Sequence, residues 1–348
     1  MELLAEYGLF VAKSLTLVVL IVLAIVAVFA AGRGNKAPED GRLEVRHLND
    51  WLEDMQQAIK GHVLSKAELK AEAKARKKED KAKAKAAKHS EDDEVERRVY
   101  VLDFNGDIKA SAVEHLREEI TALLTLARPG VDEVMLRLES PGGVVHGYGL
   151  AASQLERIRA ASLKLTICVD KVAASGGYMM ACIADELVAA PFAVLGSIGV
   201  VAQVPNIHRL LKKNDVDVDV LTAGEYKRTL TVLGENTDKA REKFKQDLEQ
   251  THELFKGLVS SYRPQLDMEK AATGEIWYGK QAVETGMVDS LMTSDQWVMQ
   301  ACKASEVYWL RYTVRKGLQA KIGGMFAAVW EQGFDKLGQW LESSRFHR

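Results

Sequence analysis

The sequence predicts an α/β domain built on a largely parallel sheet, and three features lead to this prediction. Short apolar runs rich in β-formers alternate with segments whose apolar residues recur every three or four positions. Glycine-rich turns follow two of the apolar runs. About 250 of the 348 residues remain for folding after a non-globular N-terminal part, which is enough for a large core.

The predicted elements begin near Val99 and follow one another in strand–helix order. We expect strands at 99–104, 134–138, 163–169 and 216–221. We expect helices at 113–127, 149–158, 176–183 and 239–259. Such alternation is typical of parallel sheets, in which active sites gather at the carboxyl ends of the strands.

The segment from Leu187 to Ile207 contains no charged residue and has the length of a second transmembrane helix. Pro191, Gly196 and Pro205 interrupt it, however. We therefore interpret it as a buried strand followed by a packed loop.

The N-terminal segment, residues 1–35, is predicted to be a membrane anchor. Every residue from Leu15 to Ala31 except Thr16 is apolar, which approaches the roughly 20 residues that cross a bilayer. A cleaved signal peptide is the alternative, but the acidic Glu2 and Glu6 argue against it. Basic residues after the segment outnumber those before it, so the positive-inside rule places the remaining chain in the cytoplasm.

Two further regions flank the predicted catalytic domain, residues 99–310. Residues 36–98 form a charged, partly helical linker whose Lys- and Ala-rich run reads as a solvated spacer, with attraction to anionic lipid as the alternative. Residues 311–348 form a C-terminal amphipathic tail in which Phe326, Trp330 and Phe334 recur at helical spacing. Packing on a neighbouring subunit is the favoured role of the tail; binding a membrane surface or covering the core are the alternatives.

Charge and cysteine content exclude several classes of function. The formal net charge of −2 argues against general nucleic-acid binding. Cys168, Cys182 and Cys302 do not form a C-x-x-C pair, so neither a disulfide framework nor structural zinc is expected. Cys168 and Cys182 lie within apolar runs and are interpreted as buried, inert thiols.

Two glycine-rich turns carry the candidate chemistry. Ser140–Gly143 follows the 134–138 strand, and adjacent glycines can turn backbone N–H groups toward a developing negative charge. Ser175–Gly177 follows the 163–169 strand and presents one hydroxyl among small residues. An ordinary strand-to-helix turn and a serine helix cap explain the same residues equally well.

A nucleophilic serine needs a base, and the residues alone do not decide which one. His146, close to the first turn, is the best of the eight histidines. Lys227 follows the predicted 216–221 strand, but it is one of many lysines. A lysine acts as a base only when burial lowers its pKa from the ordinary value of about 10.4.

Several motifs together give the chain a resemblance to a known family. Ser-Pro-Gly-Gly at 140–143 and Ala-Ala-Ser-Gly-Gly at 173–177 resemble the ClpP/crotonase superfamily. Three later stretches resemble the signal peptide peptidase A family within it: Gly196–Val200, Tyr226–Lys227 and Trp277–Asp289. The resemblance covers nearly all of the chain beyond residue 99. It implies a ClpP/crotonase-like domain of repeated β-β-α units, preceded here by one N-terminal transmembrane helix and a Lys-rich helical linker.

The resemblance also implies a role for each matching residue. Ser175 matches the family nucleophile, and Lys227 matches the general base of a Ser–Lys dyad. The backbone N–H groups of Gly143 and Gly176 match the oxyanion hole, and Ser197 matches a serine that helps to orient the lysine. ClpP-like enzymes carry a histidine near that position, and its absence here favours the dyad over a triad.

The implied function is a membrane-anchored serine endopeptidase that needs neither metal nor cofactor. Its substrates would be hydrophobic peptides, such as signal-peptide remnants, or misfolded membrane and envelope proteins, with Val144 and Val145 contacting the substrate. Single-domain relatives share the dyad between subunits, so a homo-oligomeric ring, an octamer, is expected. Family analogy places the catalytic domain in the periplasm, against the charge bias. A crotonase-like acyl-CoA enzyme and a catalytically inactive scaffold are the alternatives.

Overall fold

A seven-stranded sheet organises the part of the chain that the computed structural model describes: residues 41–86 and 96–314, together with Lys13 and Thr16. Its strands are β1 (Gly41–His47), β2 (Arg98–Asn105), β3 (Glu133–Glu139), β4 (Lys164–Val169), β6 (Glu186–Ala189), β9 (Ser290–Leu291) and β10 (Glu306–Val314). The strand order is β1-β10-β2-β3-β4-β6-β9. The five pairs from β10–β2 to β6–β9 are parallel, as the alternation of strands and helices predicts.

A smaller sheet lies beside the end of the large one. It consists of β5 (Val172–Ala174), β7 (Val194–Gly196) and β8 (Ile276–Tyr278). β5 runs parallel to β7, and β8 runs antiparallel to it. Because only two residues separate β4 from β5, the chain passes directly from the large sheet into the small one.

Ten helices are described. They are α1 (Leu48–Val63), α2 (Lys66–Ala86), α3 (Val113–Leu124), α4 (Val145–Ala160), α5 (Gly176–Ala181), α6 (His208–Lys213), α7 (Asp238–Tyr262), α8 (Met268–Ala271), α9 (Gly279–Glu284) and α10 (Ser294–Ala301). The order β4-β5-α5 is repeated as β6-β7-α6. The fold is therefore a mixed α/β fold that contains two successive β-β-α units.

The two faces of the large sheet bury different clusters, because successive side chains of a strand point to opposite faces. Leu102, Leu136 and Ile167 belong to the larger cluster, to which helices α3, α4, α5 and α7 also contribute. Val101, Met135 and Cys168 belong to a smaller cluster with Leu48 of α1 and Val298 of α10. Apolar residues on both faces explain why the central strands are almost continuously apolar in sequence.

The structure confirms most of the predicted elements and contradicts one. Every predicted strand and helix before residue 184, and the long helix near 239–259, is present. The strand predicted at 216–221 is wrong, because these residues form no regular structure and are mostly exposed. Alternation of apolar and polar residues alone does not make a strand where no sheet edge is available for pairing.

The uncharged segment 187–207 is buried only in its first half. Strands β6 and β7 are largely buried, as predicted. The loop that follows was predicted to be packed, and this is wrong, because residues 201–207 are mostly exposed and Val201 is 84% exposed. Among the described helices, none combines the length and the apolar character needed to cross a bilayer. The predicted anchor and the C-terminal tail lie outside the described residues, apart from Lys13, Thr16 and the end of β10.

Part of the predicted linker belongs to the folded unit. Residues 43–312 form one unit, which includes α1; a second unit comprises residues 1–42 and 313–348. Asn49 of α1 donates its side-chain amide to the carbonyls of Cys302 and Ser305 at 3.0 Å and accepts from Val307 N–H at 2.8 Å. Helix α1, which lies within the linker predicted at residues 36–98, is therefore packed against the folded domain.

A buried carboxyl on α3 generates a prediction about stability. Burial raises the pKa of Glu119 from 4.5 to about 7, although its Oε1 accepts a hydrogen bond from Tyr312 N–H at 2.8 Å. The folded protein thus holds a proton that the unfolded chain releases. We expect the free energy of unfolding to fall as the pH rises from 4.5 through about 7, by at most about 3 kcal/mol from this group.

Glu119→Gln should make this pH dependence shallower, measured by urea denaturation at several pH values. Glu118→Gln, on the exposed side of the same helix, is the matched control and should leave the pH dependence as it is in the wild type. If the free energy of unfolding depends on pH equally in Glu119→Gln and in the wild type, Glu119 does not have a raised pKa in the folded protein.

Candidate active site

The two glycine-rich turns lie against each other where the large sheet meets the small one. Ser140, at the end of β3, donates its N–H to the Val172 carbonyl at 2.8 Å. The Ser140 carbonyl accepts from Ala174 N–H at 3.0 Å. These two bonds form a parallel bridge that places the Ser140–Gly143 turn beside Ser175.

Gly142 makes the close approach of the two turns possible. Its φ of +89° lies in a region that favours glycine. A Cβ atom at Gly142 would lie 2.7 Å from the Ala174 carbonyl oxygen and 2.8 Å from Ser175 Cβ and Gly176 N. Any side chain at Gly142 would therefore push the first turn away from Ser175.

Ser175 adopts a backbone conformation that is unusual for a residue with a side chain. Its φ is 51° and its ψ is −119°, angles that glycine normally occupies in a type II′ turn. Its N–H donates to the Gly196 carbonyl at 2.8 Å, and its own carbonyl accepts from Met179 N–H at 2.9 Å. Such strained serines between a strand and a helix are typical of nucleophiles in hydrolases.

Two backbone N–H groups next to Ser175 are available to a ligand. Within residues 96–314, the N–H groups of Gly143 and Gly176 make no hydrogen bond. Both residues line the same small cavity as Ser175. The structure thus brings together the predicted nucleophile and both predicted oxyanion donors in an arrangement that can stabilise a negatively charged oxygen.

The cavity beside Ser175 has a volume of about 80 Å³ and is mainly apolar. Its lining comprises Gly143, Val145, Ser175, Gly176, Met179, Gly199, Val200, Val201, Thr251 and Phe255. Of the two predicted substrate-contacting valines, only Val145 belongs to this lining. Thr251 and Phe255 lie on α7 and were not predicted from the sequence, where their spacing indicates only a helix face.

Ser197 lies close to Ser175 through the end of β7. It directly follows Gly196, whose carbonyl accepts the Ser175 N–H. The backbone of Ser197 also has a positive φ of 51°, and its N–H donates to Glu275 O at 2.6 Å. The predicted supporting serine thus lies near the predicted nucleophile, because the backbones of residues 175 and 196 are hydrogen-bonded.

The structure does not bring Lys227 to Ser175 within one chain. Lys227 is exposed and lines a different cavity, of about 740 Å³, whose other lining residues all belong to 218–233. From residue 201 to residue 237, Gly234 is the one buried position. The lysine therefore lies on a segment that packs little against the rest of its own chain.

Neither of the nearby histidines is hydrogen-bonded to Ser175. His146 is exposed on α4 and does not line the cavity. His252 of α7 is partly buried, and its Nε2 lies 3.2 Å from the Ile198 carbonyl oxygen, one residue beyond Ser197. His252 was not singled out from the sequence, because it lies in a charged helical pattern.

The cysteines take no part in this site. Cys168 and Cys182 are free and buried, as predicted, and burial raises the pKa of the Cys182 thiol to about 12. In the described part of the chain, the side chains of His, Cys, Asp and Glu do not form any group of three that is suited to a metal ion.

Comparison with known proteins agrees with the geometry. The model for "Peptidase family S49 N-terminal" matches residues 2–155, and the model for "Peptidase family S49" matches residues 157–308. "Probable protease SohB" of Haemophilus influenzae is 52% identical over 328 residues, which cover 92% of each chain. The chain belongs to peptidase family S49.

Other relatives of this S49 peptidase extend the comparison. "Probable protease SohB" of Buchnera aphidicola subsp. Schlechtendalia chinensis is 46% identical over 305 residues, or 86% of this chain and 99% of the relative. "Protease 4" of Salmonella typhi is 26% identical over 204 residues, or 58% of this chain and 31% of the relative. The resemblance to a peptidase family that the motifs indicated is thereby confirmed.

The backbone of Ser175 in this S49 peptidase leads to a stability prediction. Because glycine tolerates these angles and alanine does not, Ser175→Gly should be more stable than Ser175→Ala by about 1 kcal/mol. Both variants lose the hydroxyl, so the comparison isolates the backbone. Chemical denaturation measures the difference, and an alanine variant as stable as the glycine variant would show that the serine is not strained.

Proposed function

We propose that this chain is a membrane-anchored serine endopeptidase in which Ser175 is the nucleophile and Lys227 is the general base. The observation that carries the proposal is the strained Ser175 beside the unpaired N–H groups of Gly143 and Gly176. The sequence motifs of the ClpP/crotonase superfamily and the two β-β-α units support a fold of that type.

The proposed reaction is acyl transfer through the Ser175 hydroxyl. A neutral lysine Nζ takes the proton from Oγ, and Oγ attacks the peptide carbonyl carbon. The carbonyl oxygen becomes negatively charged and accepts hydrogen bonds from the two glycine N–H groups. The C–N bond then breaks, the lysine returns the proton to the leaving amine, and water hydrolyses the acyl-enzyme. Ser197 helps to orient the lysine.

The proposal requires a second chain, because Lys227 is exposed in the single chain and a lysine base must be desolvated. The segment that carries it also exposes apolar side chains, including Leu221 at 92% and Val201 at 84%. Such a segment is suited to pack on a neighbouring subunit. We therefore propose a homo-oligomeric ring, an octamer, in which Lys227 of one subunit approaches Ser175 of the next.

The cavity next to Ser175 supports a hydrophobic peptide substrate. Its volume of about 80 Å³ and its mainly apolar lining are suited to a small apolar side chain. Val145 is partly exposed at its mouth. Signal-peptide remnants and segments of misfolded membrane or envelope proteins are substrates of this kind.

We propose that the apolar segment near the N-terminus holds the enzyme in the bacterial inner membrane. The charge bias favours a cytoplasmic catalytic domain and family analogy favours a periplasmic one. A reporter fused after Arg348 distinguishes them: alkaline phosphatase activity requires the periplasm, and fluorescence of a cytoplasm-folding protein requires the cytoplasm.

The dyad is tested by hydrolysis of a denatured, hydrophobic protein with detergent-purified enzyme between about pH 6 and pH 10. We expect Ser175→Ala and Lys227→Ala each to lower kcat at least about 1,000-fold. The wild-type rate should rise toward alkaline pH as the lysine loses its proton.

His252→Ala and His146→Ala are the control variants and should retain the rate and its pH profile. Loss of activity in His252→Ala with retention in Lys227→Ala would transfer the role of base to the histidine. A well-folded wild type that hydrolyses no peptide would favour the inactive scaffold or the acyl-CoA enzyme.

A further inference from the structure

A chain of buried hydrogen bonds runs beneath the Ser140–Gly143 turn. Gly142 N–H donates to Ser140 Oγ at 3.1 Å. Ser140 Oγ lies 2.5 Å from the Tyr148 hydroxyl, which lies 2.8 Å from the Asp107 carbonyl oxygen. Ser140 and Tyr148 are both fully buried, at 0% exposure. These hydrogen bonds take no part in the acyl-transfer steps themselves.

The direction of each hydrogen bond follows from the atoms involved. A carbonyl oxygen only accepts, so the Tyr148 hydroxyl donates its single proton to Asp107. Tyr148 must then accept from Ser140 Oγ, which in turn accepts from Gly142 N–H. Burial raises the pKa of Tyr148, so the phenol keeps its proton at neutral pH. The Gly142 N–H group is therefore held by a continuous series of hydrogen bonds, all donated in the same direction, that ends at the Asp107 carbonyl oxygen.

The ring of Tyr148 supports the second turn as well. A Cβ atom on Gly176 would lie less than 3 Å from Cβ, Cγ and Cδ2 of Tyr148. The ring thus packs directly on the Gly176 backbone, whereas the hydroxyl of the same side chain holds the turn that carries Gly143. Phe104 also packs on this ring in a T-shaped arrangement, with the ring centroids 6.4 Å apart.

We propose that Tyr148 is a positioning residue of the oxyanion hole: its hydroxyl fixes the Gly143 turn through Ser140, and its ring fixes Gly176. This assignment rests on the proposed role of the two glycines as oxyanion donors. It predicts that the hydroxyl of Tyr148 contributes to stabilising the transition state and not to binding the substrate.

Tyr148→Phe removes the hydroxyl and keeps the ring. We expect kcat to fall about 10- to 100-fold, less than the loss of a whole donor, while KM stays within about twofold. The affinity for a peptide aldehyde, whose adduct with Ser175 carries the oxyanion, should fall by the same factor as kcat. Ser140→Ala breaks the same chain and tests the proposal even where Tyr148→Phe fails to fold. The double variant should be no slower than the slower single variant.

Tyr178→Phe is the matched control, because it removes an equally buried phenol hydroxyl that donates to the Met287 carbonyl at 3.0 Å. It should lower the thermal midpoint but leave kcat and aldehyde affinity unchanged. Equal effects of Tyr148→Phe and Tyr178→Phe on kcat would overturn the positioning role. The positioning role would also be overturned if the losses in kcat of Tyr148→Phe and Ser140→Ala multiplied in the double variant. Ser175→Ala enzyme that retains activity would overturn the proposed function, and this inference with it.

Discussion

The site depends on one backbone contact, the bridge between Ser140 and Ala173. It joins the end of a strand in the large sheet to a strand of the small sheet, and it places the Gly142 turn against Ser175. Without this bridge, nothing would hold the N–H group of Gly143 beside Ser175 and Gly176. The apolar layers on both faces of the central strands hold the large sheet, and so they hold this contact indirectly.

A single chain contains the proposed nucleophile and oxyanion donors in one place, but it does not bring the proposed base to them. The proposed nucleophile and oxyanion donors pack against buried groups such as Tyr148 and Ser140. The lysine lies on residues 201–237, which bury almost nothing and expose large apolar side chains. In the proposed ring, assembly with another copy would bury those side chains and desolvate the lysine in one step, which would couple the proposed activity to the oligomeric state.

The sequence predicted what depends on local chemistry and short-range pattern. The central strands were recognisable because their residues are almost continuously apolar. The motif around Ser175 was recognisable through its resemblance to a known family and not from its glycines alone. The strand expected at 216–221 failed because pairing depends on a neighbour that a pattern does not reveal. Phe255 and Tyr148 were missed because they reach the site through tertiary contacts from helices whose spacing indicates only a buried face. The packing of α1 was not predicted either, because it depends on tertiary contacts with residues 302–307.

Whether two chains complete one active site is decided by co-expressing Ser175→Ala and Lys227→Ala subunits with different tags and purifying mixed oligomers through both tags. A shared site predicts recovery of about a quarter of wild-type activity with random assembly. Mixing wild type with the double variant Ser175→Ala/Lys227→Ala in equal amounts should halve the activity per wild-type chain. Inactive mixed oligomers, together with unchanged activity per wild-type chain, would show that each chain uses its own lysine and would contradict the account.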